Sequence, residues 1–190
     1  MDDRRRDLGT LVVCVVLGWL ALGPWPHIPG LAVVDLGFAS LGHLAGEVAD
    51  AAWGTTVVPA IGGLVVAVAV PLVLAARLLQ SRWERCGGAL CLAWAATVLT
   101  ALAADARSAA APGPAGSGAP HDWAVLLGPR GLHALDRAAD VAGGLRAGAV
   151  VLLALAVTVC AVPLVADAVR AAARPEAPPT TWRGPTSRRV

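Results

Sequence analysis

The sequence predicts an all-α, polytopic membrane protein with four transmembrane helices and one interfacial or re-entrant helix. Hydropathy and the scarcity of charge are the first two observations behind this prediction. Of the 190 residues, 57% are hydrophobic and only 15% are charged, and the mean hydropathy is +0.68. Soluble domains carry about 25% charged residues. The composition therefore excludes an ordinary soluble domain and indicates the lipid bilayer as a partner.

The third observation is the presence of four apolar segments that approach or reach the length needed to cross a bilayer, about 20 residues. They cover about residues 8–22, 57–79, 87–104 and 147–169. The first segment follows three arginines, as in a signal peptide, but Pro24 is a poor neighbour for a cleavage site. An uncleaved anchor is therefore favoured, and residues 1–173 are predicted to form one integral membrane domain.

Arginine is the only basic residue type, and its placement indicates the orientation. If all four segments cross the membrane, eleven of the fifteen arginines fall on one side. Cytoplasmic loops carry an excess of basic residues, so both termini are expected in the cytoplasm and the protein in the plasma membrane. Residues 174–190, rich in Pro and Arg, are expected to form a disordered cytoplasmic tail. The arginines are scattered around apolar segments, so they indicate no nucleic-acid partner.

The two outer segments, about residues 23–56 and 105–145, contain all four histidines and seven of the thirteen acidic residues. A helix is predicted at about residues 31–53. Four of its residues recur at every fourth position and share a face: Asp35, Ala39, His43 and Glu47. A polar face inside the membrane indicates a functional site, whereas an interfacial helix would turn it to water. The pattern leaves both possibilities open.

The second outer segment contains His121 and Asp122 directly after residues 109–120, a stretch of Ala, Gly, Pro and Ser that predicts a flexible linker. Asp122 is typical of a helix N-cap, which is the simpler interpretation. Alternatively, the linker folds this pair back over the first outer helix. His43, Glu47 and Asp122 would then offer the nitrogen and oxygen donors that zinc takes, although zinc needs three or four of them in one place.

Two other patterns concern packing rather than chemistry. The four cysteines lie in or beside apolar segments and form no C-x-x-C pair, so neither a disulfide framework nor a cysteine zinc site is predicted. Gly144 and Gly148 have the small-xxx-small spacing that lets membrane helices approach closely.

The segment Asp35–Leu44, which reads DLGFASLGHL, resembles a stretch of approximately D-x-G-F-H-E-x-G-H in a bacterial family of uncharacterised polytopic membrane proteins. A second block resembles it too: Ala104–Arg107 followed by His121-Asp122-Trp123. The resemblance covers about residues 31–150. The family's H-E-x-x-H looks like that of site-2-protease-like intramembrane metalloproteases. It implies two His ligands to zinc, a Glu general base and a distant Asp ligand.

This chain departs from that pattern at two positions. Ala39 stands where the first His is expected and Ser40 where the Glu is expected. Alanine has no donor atom, and serine is a poor base near neutral pH. Glu47 lies one turn beyond His43 and cannot take the position of the lost base. The resemblance therefore implies a vestigial site with these members: Asp35, His43, Glu47, His121 and Asp122.

No catalytic residue and no resident cofactor are expected at such a site. The predicted role is binding or scaffolding, with a membrane peptide or protein as the partner. An active metal-dependent hydrolase that holds zinc with unorthodox ligands is one alternative. A small transporter or channel subunit is another, suggested by the prolines within the second and fourth segments. The absence of charged residues in the middle of those segments counts against transport of ions or protons.

Overall fold

A computed structural model describes residues 3–23, 28–53, 57–81, 84–109, 122–129 and 131–173, and every regular element in these ranges is helical. The all-α prediction is therefore confirmed. The helices are α1 (Asp3–Leu22), α2 (Pro29–Trp53), α3 (Val57–Leu79), α4 (Arg85–Ser108), α5 (Asp122–Leu127) and α6 (Ala138–Ala172), with a 3₁₀ turn at Leu135–Arg137 before α6. His121, the tail 174–190 and all of the predicted linker except Ala109 lie outside the described residues.

Three of the described helices are long and apolar enough to cross a membrane: Val57–Leu79, Arg85–Ser108 and Leu135–Ala172. The last two extend beyond the predicted segments 87–104 and 147–169. α1, which contains the predicted first span, is not among these three helices, and it begins at Asp3, before its apolar run. An apolar run measures only the part of a helix that suits lipid, and the backbone hydrogen bonds continue through the charged residues beyond it.

Helix α4 forms the centre of the bundle and contacts α1, α3 and α6. Its packing surface consists largely of alanine, which lets neighbouring helices approach closely. Ala89, Ala93 and Ala96 are fully buried, as are Ala149 and Ala156 on α6. Cys14 and Cys160 lie in the same core cluster. They are free thiols and buried, as expected of small apolar residues.

Contacts between the helices fix their directions. Asp7 of α1 meets Arg85 at the start of α4, so these helices run in parallel. Gly148 of α6 lies against Leu99, and Gly88 of α4 lies against Leu79 at the end of α3, so α3 and α6 run antiparallel to α4. We call the two ends of the bundle the Arg85 end and the Asp122 end.

Helix α2 packs antiparallel to α3, because Gly42 lies against Gly62 and Gly46 against Pro59. It leaves at the Asp122 end, where α3 begins four residues after Trp53. Its first half lies beside α4, where Asp35 accepts a hydrogen bond from Trp94.

Most polar side chains of α2 turn toward the protein, except the exposed Ser40 and Glu47, and most of its outward side chains are apolar. Asp35, His43 and Asp50 are half-buried. The outward stripe of α2 consists of Val33, Leu41, Leu44 and Val48, whose exposed fractions are 58–71%. This arrangement is the reverse of an amphipathic helix on a water-soluble protein, where the charged face is the exposed one.

The close glycine approach occurs at a different place from the predicted one. A β-carbon on Gly144 would meet nothing within 4 Å, and one on Gly148 would meet only the Leu99 side chain. At Gly42 and Gly62, by contrast, a β-carbon would collide with the facing backbone. The small-xxx-small contact of this bundle is therefore Gly42 and Gly46 on α2 against α3.

Candidate functional site

The most informative contact of the site joins residues that are far apart in the sequence. Nε2 of His43 lies 3.0 Å from Oδ2 of Asp122, and the two side chains are 33% and 37% exposed. Asp122 is the first residue of α5, and its carboxylate contacts His43 of α2. This is the arrangement expected if the linker folds His121 and Asp122 back over the first outer helix. The contact joins two of the residues that the resemblance assigns to the vestigial site. Their role as a vestigial metal site stays a prediction.

A glycine on α3, Gly63, leaves space for the side chain of His43. A β-carbon on Gly63 would lie 2.6 Å from Nε2 and 2.8 Å from Cδ2 of the imidazole. The imidazole therefore rests on bare backbone, held between α3 and the carboxylate of Asp122. Helix α5 in turn packs on α3 and α4. Trp123 anchors it, because its side chain packs beside the cluster of Ala103, Ala106 and Ala142.

Asp35 occupies a separate part of the polar face. Its Oδ1 accepts a hydrogen bond from Nε1 of Trp94 on α4, at 2.7 Å. The ring of Phe38 lies 5.7 Å from the ring of Trp94, within the range of favourable aromatic pairs. This contact holds the first half of α2 against the central helix. Trp94 was not among the predicted site residues, and only its position on the buried helix marks it.

Between α2 and α4 lies a cavity of about 220 Å³. Most of its wall is apolar, and two carboxylate residues, Asp35 and Asp105, take part in it. Ala39, which stands where the family pattern has its first His, also lines the cavity. The methyl group of Ala39 therefore leaves open the space that an imidazole would occupy.

The remaining predicted residues are placed differently. The hydroxyl of Ser40 donates to the backbone carbonyl of Leu36, one turn back on the same helix, at 2.7 Å. Glu47 is exposed, and His121 lies outside the described residues. Within the described ranges, no three His, Cys, Asp or Glu side chains form a group that could hold a metal ion. The residues present therefore do not fit a zinc site of the family type.

A second polar cluster lies at the Arg85 end and was missed in the sequence. Asp7 is 2% exposed and accepts hydrogen bonds from the guanidinium of Arg85 and from the thiol of Cys86, the latter at 3.0 Å. Burial raises the pKa of Asp7, but the bonds from Cys86 and Arg85 and the charges of Arg85 and Arg6 outweigh it. The pKa of this carboxyl therefore lies below its ordinary value.

The described geometry thus offers a His–Asp contact at one place and an apolar cavity with two carboxylates at another. The chain was compared with protein-family models, with curated proteins and with solved structures, and none of them matches it.

Proposed function

We propose that this chain is an integral membrane protein that binds a membrane-embedded segment of another protein without cutting it. In this proposal it is a non-catalytic relative of the membrane metalloprotease-like family it resembles. The observation that carries the proposal is the His43–Asp122 contact. Two ligands of a tetrahedral zinc, each at about 2.0–2.1 Å, stand about 3.3 Å apart, and Nε2 and Oδ2 are 3.0 Å apart. This spacing supports kinship with the family, whose remaining ligand and base are replaced here by Ala39 and Ser40.

The outward face of α2 supports a partner that arrives through the lipid. Apart from Ser40 and Glu47, which are exposed there too, the outward side chains of α2 are largely apolar and suit contact with lipid. A membrane segment reaches the same face by lateral diffusion. Ala39 then gives the segment room beside α2, because it lines an open cavity rather than carrying a ligand.

The proposed topology has four spans, formed by α1, α3, α4 and α6, with α2 as a re-entrant or interfacial helix on the outer side. The distribution of arginine supports it. The Arg85 end includes the start of α1 and the end of α6, which carry Arg4, Arg5 and Arg170, and basic residues favour the cytoplasmic side.

Photo-crosslinking from α2 tests the proposed binding. A benzophenone side chain at Leu36, which is 68% exposed and lines the cavity, should capture a membrane protein at its full length in living cells. The same group at Val165 on α6, which is 61% exposed, serves as the matched control and should not capture that protein. His43→Ala and zinc chelators should leave the crosslink largely intact, because binding uses no metal.

Two results would contradict the proposal. One is equal capture of the same protein from Leu36 and Val165, which would mean that the helix α2 face is not selective. The other is cleavage of the captured protein that stops with a chelator and with His43→Ala. That second result would establish the active-hydrolase alternative.

A further inference from the structure

A cleft lies at the turn between α3 and α4, at the Arg85 end of the bundle. Its volume is about 450 Å³, and it is lined by Arg77, Leu78, Gln80, Ser81 and Glu84. Both helices are long and apolar enough to cross a membrane, and the turn between two spanning helices lies at the membrane surface. With α3 and α4 as spans, the cleft is therefore at the depth of the lipid head groups.

The cleft carries one charge of each sign, on Arg77 and Glu84. Both residues are exposed, and within the described part of the chain neither side chain has an ion-pair partner. Glu84 directly precedes α4, where a side-chain oxygen commonly caps the first backbone N–H groups, but its carboxylate makes no such bond. The guanidinium and the carboxylate are thus both available to a ligand that carries an anion and a cation.

The polar groups of the cleft match a phosphodiester with an ammonium group beside it. The guanidinium of Arg77 can bind a phosphate through two parallel N–H donors, and the side chains of Gln80 and Ser81 add further donors. The carboxylate of Glu84 only accepts hydrogen bonds, so it binds an ammonium group and repels a head group that has a phosphate and no cation.

An aliphatic surface continues from the cleft toward the centre of α3. Val73 and Leu74 lie one turn before Arg77 and on its side of the helix, and they are 61% and 43% exposed. Val66 and Val70 extend this side of α3 further and are half-buried. A charged cleft at the membrane surface with an aliphatic strip below it suits a molecule with a polar head and an acyl chain.

We propose that the cleft binds a phospholipid whose head group joins a phosphodiester to a primary ammonium, as in phosphatidylethanolamine. Its phosphate binds Arg77, Gln80 and Ser81, its ammonium donates to Glu84, and one acyl chain lies along Val73. This inference is separate from the proposed partner binding, because it uses no residue of α2 and lies at the opposite end of the bundle from Asp122.

Native mass spectrometry of the detergent-solubilised full chain tests the proposal. The probes are three lipids with identical dioleoyl chains, so that differences in affinity report the head group: phosphatidylethanolamine, phosphatidylglycerol and phosphatidylcholine. Phosphatidylethanolamine is expected to bind about two- to fivefold more tightly than either of the others, as expected for one exposed ion pair. Phosphatidylglycerol has no cation for Glu84, and the quaternary nitrogen of phosphatidylcholine has no N–H to donate.

Two substitutions separate the roles of the charges. Glu84→Gln should abolish the preference for phosphatidylethanolamine over phosphatidylglycerol, and Arg77→Gln should weaken the binding of all three lipids. Asp167→Asn and Arg170→Gln make the same charge changes at exposed positions of α6, at the same end of the bundle, and should alter neither quantity. All four residues are exposed, so the unfolding temperatures should stay close to that of the unmodified protein.

Free O-phosphoethanolamine distinguishes a lipid from a soluble phosphate ester, since it has the head group without acyl chains. It should bind far more weakly than the lipid, because the contact with α3 is missing. Several results would overturn the lipid site: equal affinity for phosphatidylethanolamine and phosphatidylglycerol, a preference that survives Glu84→Gln, equal effects of Arg77→Gln and Arg170→Gln, or equal affinity for the free head group. The crosslinking test from Leu36 is independent of these results.

Discussion

The imidazole of His43 lies directly on the backbone of Gly63, where a β-carbon would come within 2.6 Å of Nε2. The position of this side chain, and with it the contact to Asp122, therefore depends on a residue of α3 that has no side chain at all. Gly63 leaves space for the imidazole ring, and the β-carbon of any other residue would occupy that space.

Gly63→Ala should displace His43 and break its contact with Asp122. Overpacking of this kind costs about 1–3 kcal/mol. Gly143→Ala is the matched control, because a β-carbon there meets nothing within 4 Å and alanine favours a helix over glycine by up to about 1 kcal/mol. The unfolding temperature should fall in the first variant and stay level or rise in the second. Imidazole NMR signals should report the lost contact in Gly63→Ala alone.

Introducing the His and Glu of the family pattern at positions 39 and 40 should create a zinc site. The change Ala39→His with Ser40→Glu adds a ligand one turn from His43, on the side that lines an open cavity, and supplies the base. The protein with both changes should bind one zinc ion per chain, and adding Asp122→Ala should weaken that binding roughly 10- to 100-fold or more. Metal content after dialysis is the measurement. Ala45→His with Ser40→Glu, on another face of α2, is the control and should bind none. If the protein with Ala39→His and Ser40→Glu bound no zinc, the proposed kinship with the family's metal site would be contradicted.

The face shared by Asp35 and His43 was predictable because helical periodicity alone determines which side chains align. The proximity of Asp122 followed from the resemblance. Periodicity does not determine which helix covers a face, so the sequence does not predict Trp94 as the hydrogen-bond partner of Asp35. Gly42 and Gly144 each begin a small-xxx-small motif, and nothing local distinguishes the packed copy from the open one. Nothing local marks Arg85 as the partner of Asp7 either, because the two residues are 78 positions apart.

Asp7 and Arg85 should couple energetically. Asp7→Leu leaves a guanidinium that is 27% exposed without its carboxylate, and removing one partner of a buried pair costs about 3–5 kcal/mol. Replacing both residues with Leu should cost clearly less than the sum of the two single changes. Asp167→Asn, at an exposed pair with Arg170, is the control and should change stability little. Additive single and double effects would contradict the coupling.

Acid should remove the contribution of Asp7. Its pKa in the folded protein lies below the ordinary value of 3.8, so the carboxylate stabilises the fold fully at pH values above that ordinary value. The contribution declines as the pH falls from there through the lowered pKa. Unfolding of the unmodified protein and of Asp7→Asn, measured from about pH 6 down to about pH 3, should show a stability difference that is constant near neutrality and narrows below about pH 4. If the stability difference between the unmodified protein and Asp7→Asn grew as the pH fell, the pKa of Asp7 would be raised by folding rather than lowered, which would contradict this prediction.

The proposed orientation predicts the behaviour of reporter fusions. Fusions after Arg82 and at the C-terminus should be active as cytoplasmic reporters, and a fusion at Gly116 should be active outside. A C-terminal reporter active only outside would contradict the four-span topology. Deleting α2 should leave all three results unchanged, because α2 adds no crossing in the proposed topology.

The contacts of α2 with helices that follow it in the chain have a consequence for the order of assembly in the cell. Helix α2 is synthesised before α3 and α4, so its polar face emerges before the helices that cover it exist. Asp35 finds Trp94 only after α4 has been inserted, and His43 finds Asp122 later still, when α5 leaves the ribosome. The site is therefore among the last parts of the molecule to form during synthesis. Until α4 and α5 are in place, the carboxylate of Asp35 and the imidazole of His43 lack the contacts with Trp94 and Asp122 that they have in the finished chain.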